Sequence, residues 1–114
     1  MQDKYKVYLD DILISIEKIE KNTKGVSYKE FSQNSLISDG VIRNLEVIGE
    51  AVKKLSVDLK KKYPDVEWKK IAGLRDILIH EYFGIDLNIV WDIIINKIPK
   101  LKNSIKEVMK NLYG

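Results

Sequence analysis

The scarcity of helix-breaking residues is the feature that most constrains how this chain can fold. Only two prolines and six glycines occur in 114 residues, and apolar side chains recur at intervals of three and four along most of the sequence. No stretch alternates between apolar and polar residues as a half-buried strand does, and no internal repeat appears. The pattern therefore predicts an all-α protein.

Turn and capping residues divide this pattern into five predicted helices. Gly25 suits the end of the first helix, and Ser27 with Glu30 has the spacing of a capping box. Asp86 is expected to cap the last helix, which should continue through a kink at Pro99 because its apolar stripe resumes in register. The predicted helices cover roughly residues 3–22, 28–33, 35–62, 67–82 and 86–112. We expect an up-and-down bundle of four long helices and one short helix, in a single domain of residues 1–114.

Composition limits the functions that are open to the chain. Hydrophobic residues make up 45% and charged residues 32%, which is typical of a globular protein, and the net charge of +3 permits a nucleic-acid partner without demanding one. The absence of cysteine excludes disulfides and thiolate metal sites, and a single histidine excludes a multi-histidine site within one protomer. We expect no metal and no cofactor. The polar N-terminus is not a signal peptide, and no apolar run is long enough to span a membrane, so a cytoplasmic protein is expected.

The segment from Gly73 to Tyr82 stands out within the fourth predicted helix. It holds the only histidine, His80, with Arg75 five residues earlier and Tyr82 two residues later. On an ideal helix Asp76 and His80 lie on one face, whereas positions 75 and 80 are about 140° apart. A site that uses both Arg75 and His80 needs the long arginine side chain, a distorted helix end, or a second protomer across a two-fold axis. The spacing thus hints at a homodimer.

These residue types suit metal-free cleavage of RNA. A histidine with an ordinary pKa near 6.5 can accept the 2′-hydroxyl proton or donate one to the leaving 5′-oxygen, and Asp76 can orient the imidazole. The planar guanidinium of Arg75 matches phosphate oxygens. The expected products are a 2′,3′-cyclic phosphate and a 5′-hydroxyl. From spacing alone, a structural histidine and an ordinary arginine ion pair remain an alternative.

Four segments of the chain resemble a known family. The first is Gly73–Gly84, in which an arginine is followed by four residues, a histidine, any residue and a tyrosine. The others are Arg43–Ala51, the lead-in Trp68–Leu74, and Val90-Trp91 followed by Pro99. Together they are similar to the HEPN superfamily and, more closely, to its HepT-like branch. The resemblance covers most of the chain and is weakest over the first helix.

This resemblance implies an all-helical, homodimeric, metal-independent ribonuclease that acts as the toxin of a type VII-like toxin–antitoxin pair. It implies that Arg75 and His80 form the catalytic pair and that Asp76 occupies the family's polar position. The expected antitoxin is an MntA-like nucleotidyltransferase that transfers AMP from ATP to Tyr82. A bulky anion at the cleft mouth would block RNA and occupy Arg75 electrostatically. Whether the RNA target is transfer RNA or message stays open.

Several weaker candidates and two rival functions accompany this interpretation. Arg43, Glu46 and Glu50 share a stripe of the third helix and either support the cleft or form ion pairs on a solvated face. The lysines, among them Lys69 and Lys70, are interpreted mainly as solubilising, with guidance of RNA by charge as the alternative. The rival functions are a non-catalytic helical module that binds nucleotide or a partner, and a bare dimerisation scaffold.

Overall fold

The computed structural model describes the backbone of residues 3–80 and 85–114, with the side chains of residues 5–74 and 85–114. Within these ranges all regular structure is helical, which confirms the all-α prediction. None of the described helices is long and apolar enough to cross a membrane. The elements are α1 (Asp3–Thr23), α2 (Tyr28–Gln33), α3 (Ser35–Lys53), α4 (Val57–Lys62), α5 (Trp68–His80), α6 (Leu87–Asp92), a π-helical turn (Ile93–Lys97) and α7 (Ile98–Tyr113).

The core forms where α1 packs against α3 and α7, and α5 packs on α3. Each of the three helices contributes side chains at spacings of three, four or seven residues, which places them on one stripe of the helix. Because the stripes face one another, these side chains are inaccessible to solvent. The fully buried set includes Leu9, Ile12, Ile16, Ile19, Val41, Leu45, Ile48, Val52, Ile105 and Val108.

Side-chain caps begin α2 and α3, and the first of these caps, at Ser27, is the one that the sequence predicts. The Ser27 hydroxyl accepts a hydrogen bond from the Glu30 backbone N–H at 3.1 Å and contacts the Glu30 carboxylate at 3.2 Å, which confirms that Ser27 and Glu30 interact at this helix start. The Asn34 side-chain oxygen accepts from the backbone N–H groups of Leu36 and Ile37, which caps the start of α3. Caps of this kind satisfy backbone donors that have no partner within the helix.

The prediction of one long third helix over residues 35–62 is wrong, because the chain breaks after Lys53. The Lys54 N–H donates to the Ala51 carbonyl in a tightened last turn, and the Ser56 hydroxyl then accepts from the Leu59 N–H at 3.1 Å to begin α4. Leu55 and Leu59 are only 3% and 5% exposed. The apolar spacing therefore continues across a break in the backbone, which is why periodicity alone did not predict the break.

The last predicted helix is confirmed as one continuous helical segment from α6 to α7. Asp86 caps it as expected, since its carboxylate accepts from the Asn88 N–H at 2.9 Å. The Ile98 N–H donates to the Ile93 carbonyl, five residues back, instead of the usual four. Pro99 follows at once and has no N–H to donate. The chain thus accommodates the proline through a π-helical turn placed just before it.

Candidate active site and the adjoining groove

Helix α5, which carries the predicted catalytic residues, is anchored at its first residue. The Trp68 ring is 7% exposed, and its indole N–H donates to the Tyr63 carbonyl at 3.0 Å. The Ile71 N–H donates to the Glu67 carbonyl at 3.0 Å, which closes the first turn. Because α5 also packs along α3, its axis and rotation are set by buried contacts before the chain reaches Arg75.

Three of the predicted site residues lie within helix α5. Arg75, Asp76 and His80 all lie within Trp68–His80, so the expected helical spacing applies: positions 76 and 80 share a face, and position 75 is about 140° around the axis from position 80. The predicted Asp76–His80 side-chain contact lies outside the described side chains. Tyr82 lies outside the described residues altogether.

The three secondary candidates lie on α3 and differ in exposure. Arg43 is exposed, whereas Glu46 and Glu50 are half-buried. Arg43 makes no ion pair with any other side chain in the described part of the chain. These three positions do share one helical stripe, as the three- and four-residue spacing requires. Their proposed support of the cleft stays a prediction.

A groove of about 390 Å³ lies between α5 and the last helix. Its floor is aliphatic, and Ser104 lies among its lining residues. Gly73 and Leu74 also line it, and they directly precede Arg75 in α5. The groove therefore reaches the segment that carries the predicted catalytic residues. The apolar lining residues are Val66, Ile71, Leu74, Ile93, Ile98 and Leu101.

Charged residues border this groove, and lysines outnumber carboxylates among them. The Glu67 carboxylate contacts the Lys70 ammonium at 2.9 Å and the Lys97 ammonium at 3.9 Å. The hydrogen bond from Lys70, followed by the charges of Lys70 and Lys97, holds the pKa of Glu67 below its ordinary value of 4.5. Lys100 and Asp65 complete the border. The three lysines and the two carboxylates of Glu67 and Asp65 thus leave one net positive charge at the border.

Gly73 is unexplained by the packing of the described residues. A Cβ added at this position meets no described heavy atom within 4 Å, and the backbone there is helical. Glycine within a helix is less favourable than alanine by about 0.5–1 kcal/mol. Neither a positive φ nor a crowded neighbour within the described structure requires a glycine at this wall of the groove.

Local sequence patterns do not group the groove residues. Lys69 and Lys70 are predicted, together with the other surface lysines, to be mainly solubilising, with guidance of RNA by charge as the alternative. No local pattern places Lys97 beside Glu67, thirty positions away. The Glu67–Lys70 spacing of three was the one local signal available. Within the described side chains, no group of three acidic or histidine residues is placed to hold a metal ion.

Comparison with known sequences assigns the chain to a family. The sequence model described as "Ribonuclease HepT-like" matches residues 12–108, which include α5 and both flanks of the groove. A protein of Methanocaldococcus jannaschii named "Putative RNase" is 47% identical over 109 residues, covering 96% of this chain and 90% of that protein. The "Probable ribonuclease HepT" of Thermococcus cleftensis is 38% identical over 110 residues, covering 96% of this chain and all of that protein.

A further relative is longer than this chain. The M. jannaschii protein named "Gamma-glutamylcyclotransferase and putative RNase" is 44% identical over 112 residues, which is 98% of this chain but 50% of that protein. This chain thus spans half the length of that relative. No solved structure matches significantly. The helices of the described residues and the family match over most of the chain together define a helical protein of the ribonuclease class. The chain belongs to the HepT-like ribonuclease family.

Proposed function

We propose that the protein is a metal-independent endoribonuclease whose site is built on α5. The observation that carries this proposal is the position of Arg75, Asp76 and His80 on an anchored helix inside the segment that matches the HepT-like ribonuclease family. Relatives across nearly the whole chain carry ribonuclease names. The substrate class is accordingly RNA.

Each residue has a distinct role in the proposed reaction. The 2′-hydroxyl attacks the neighbouring phosphorus and the bond from phosphorus to the 5′-oxygen breaks, which leaves a 2′,3′-cyclic phosphate and a 5′-hydroxyl. His80 moves the protons and Asp76 orients the imidazole. Arg75 stabilises the negative charge on the phosphate oxygens as it grows. DNA lacks the nucleophile and is inert.

A homodimer completes this site in the proposal. Positions 75 and 80 are about 140° apart on α5, so a straight helix in one protomer does not by itself bring these two positions to one phosphate. A two-fold axis beside α5 brings Arg75 and His80 from two copies into one cleft. It also supplies two imidazoles, one to accept a proton and one to donate it.

The same family context supports a toxin that is held inactive by a nucleotidyltransferase antitoxin. In this proposal the Tyr82 hydroxyl attacks the α-phosphorus of ATP, loses its proton and releases pyrophosphate, so that AMP is attached to the phenol. The added phosphate repels RNA and competes for Arg75. Intact mass of protein co-expressed with the antitoxin should show one added AMP, which Tyr82→Phe abolishes and the control Tyr63→Phe retains. An unmodified mass for both the unsubstituted protein and the control would contradict this regulation.

The catalytic proposal is tested by cleavage of labelled RNA in the presence of EDTA. His80→Ala should lower the rate by about 10²–10⁴-fold, the contribution typical of general acid–base catalysis. Arg75→Lys keeps the charge but loses the planar fork, so it should be impaired, while Lys106→Ala, which removes a charge elsewhere, should cleave normally. A His80→Ala variant that cleaves at the normal rate would refute the site. Absence of cleavage by the unsubstituted protein would favour a non-catalytic binding module.

A further inference from the structure

The groove between α5 and the last helix has the chemistry of a nucleotide-binding site. Its volume of about 390 Å³ falls within the range of about 300–1,000 Å³ that is typical of small-molecule sites, which are mostly apolar with a few polar groups at fixed places. Here the floor is aliphatic, and Lys70, Lys97 and Lys100 stand at its border. A nucleotide has matching parts, since the faces of its base are largely apolar and its phosphate is anionic.

Gly73 indicates that an occupant approaches the backbone of α5. The position tolerates a Cβ with no clash among the described residues, so the packing of those residues gives no reason for a glycine there. Glycine is the residue that permits close approach of a ligand to the backbone. The space over Gly73 belongs to the groove, and it lies two residues before Arg75. An occupant that contacts Gly73 is therefore adjacent to the predicted catalytic arginine.

The charges favour a polyanion over a second copy of the chain. A two-fold interface would set this surface against itself, with three lysines and two carboxylates on each side. Glu67 already contacts Lys70 and Lys97 within one chain, and Lys100 makes no ion pair with a described residue. The excess charge is positive on both sides of such an interface, which weakens self-association and attracts a phosphate backbone.

We propose that this groove binds the RNA nucleotide next to the scissile phosphate, with its base on the aliphatic floor and its phosphate at Lys97 and Lys100. This inference rests on the proposed ribonuclease function and specifies where that function holds its substrate. The groove is a positioning site, because none of its residues acts on the reacting atoms.

The role of the lysines at the groove border is tested with a 2′-O-methyl RNA, which the protein cannot cleave. A length of about ten nucleotides lies within the usual range of single-strand sites. The paired change Lys97→Gln with Lys100→Gln should weaken binding about tenfold in fluorescence anisotropy. It should also reduce the slope of log affinity against log salt by about 1.4, or about 0.7 for each phosphate that a lysine no longer neutralises. The matched control is Lys106→Gln with Lys110→Gln, which removes two exposed charges from α7 outside the groove. Equal weakening by both pairs would overturn the proposal.

Two further variants test whether RNA occupies the space inside the groove. Gly73→Ala should retain or raise the melting temperature while it weakens RNA binding, because the new methyl group occupies space that only the ligand uses. Ser104→Trp should fill the groove and have the same effect on binding. If Gly73→Ala binds RNA normally, the groove is not the nucleotide site. If Gly73→Ala instead lowers the mass measured by sedimentation, the groove holds a second copy and the nucleotide proposal is likewise overturned.

These outcomes are separable from those of the catalytic proposal. If the unsubstituted protein cleaves RNA and the groove variants bind as it does, only the groove inference fails. If the protein binds RNA through the groove but does not cleave it, the ribonuclease proposal fails, and what stands of the groove inference is that the groove holds an RNA nucleotide.

Discussion

Two regions of the molecule, the α1 side and the α5 side, differ in how tightly their side chains are packed. On the α1 side, where α1 contacts α3, side chains such as Ile16, Leu45 and Ile48 are fully buried. On the α5 side, Ile71 and Leu74 stay half-buried and line an open groove that α5 shares with the last helix. Close packing favours stability, whereas incompletely packed apolar surface is available to a ligand. The contrast separates the part that holds the fold together from the part that we propose meets RNA.

Truncation of one isoleucine on each side gives the largest expected difference. Ile48→Ala leaves a closed cavity in the dense side and should lower the free energy of unfolding by about 2–5 kcal/mol. Ile71→Ala enlarges a groove that is already open and leaves no closed cavity. The free energy of unfolding should therefore fall only by the value of the lost apolar burial, about 1–2 kcal/mol. Urea unfolding of both variants measures the two values. Equal losses of stability would mean that the α5 side is as tightly packed as the α1 side.

Addition of a methyl group probes the same contrast in the opposite direction. Val41→Ile overfills a site with no exposed surface and should destabilise the protein by about 1–3 kcal/mol. Gly73→Ala enters open space and should stabilise it by about 0.5–1 kcal/mol, since alanine is the better helix former. Thermal unfolding of the two variants should give shifts of opposite sign. A destabilised Gly73→Ala would mean that the space over Gly73 is filled by another part of the protein.

The smallest expected effect is a pH dependence at the border of the groove. Because the pKa of Glu67 lies below 4.5 in the folded protein, its contacts with Lys70 and Lys97 contribute stability above pH 4.5, which is lost as the pH falls through the lowered value. The side-chain carboxyl NMR signal of Glu67 should titrate below pH 4.5, and Lys70→Gln should move its midpoint upward. A midpoint at or above 4.5 in the unsubstituted protein would contradict the ion pairs.

Much of the helical architecture was predictable because it depends on local signals. The capping contact at Ser27 and the cap at Asp86 were both predicted from residues within three positions of the helix start. The helix through Pro99 was predicted from its apolar stripe, although the π-helical turn that accommodates the proline was not. The break before Ser56 was missed, since Leu55 and Leu59 keep a helical spacing while the backbone between them does not.

The helical class, most helix ends, the family resemblance and the relative positions of Arg75, Asp76 and His80 on one helix all follow from the order of the residues. Which distant residues meet follows only from the packing of the helices. That packing brings Lys97 beside Glu67 and Lys102 to 2.8 Å from Glu20, a residue 82 positions away, and it leaves a groove open beside Gly73. The difference arises because the interactions involved have different ranges along the chain. Periodicity and capping act within a few residues, whereas a groove or a cross-helix ion pair depends on how whole helices pack.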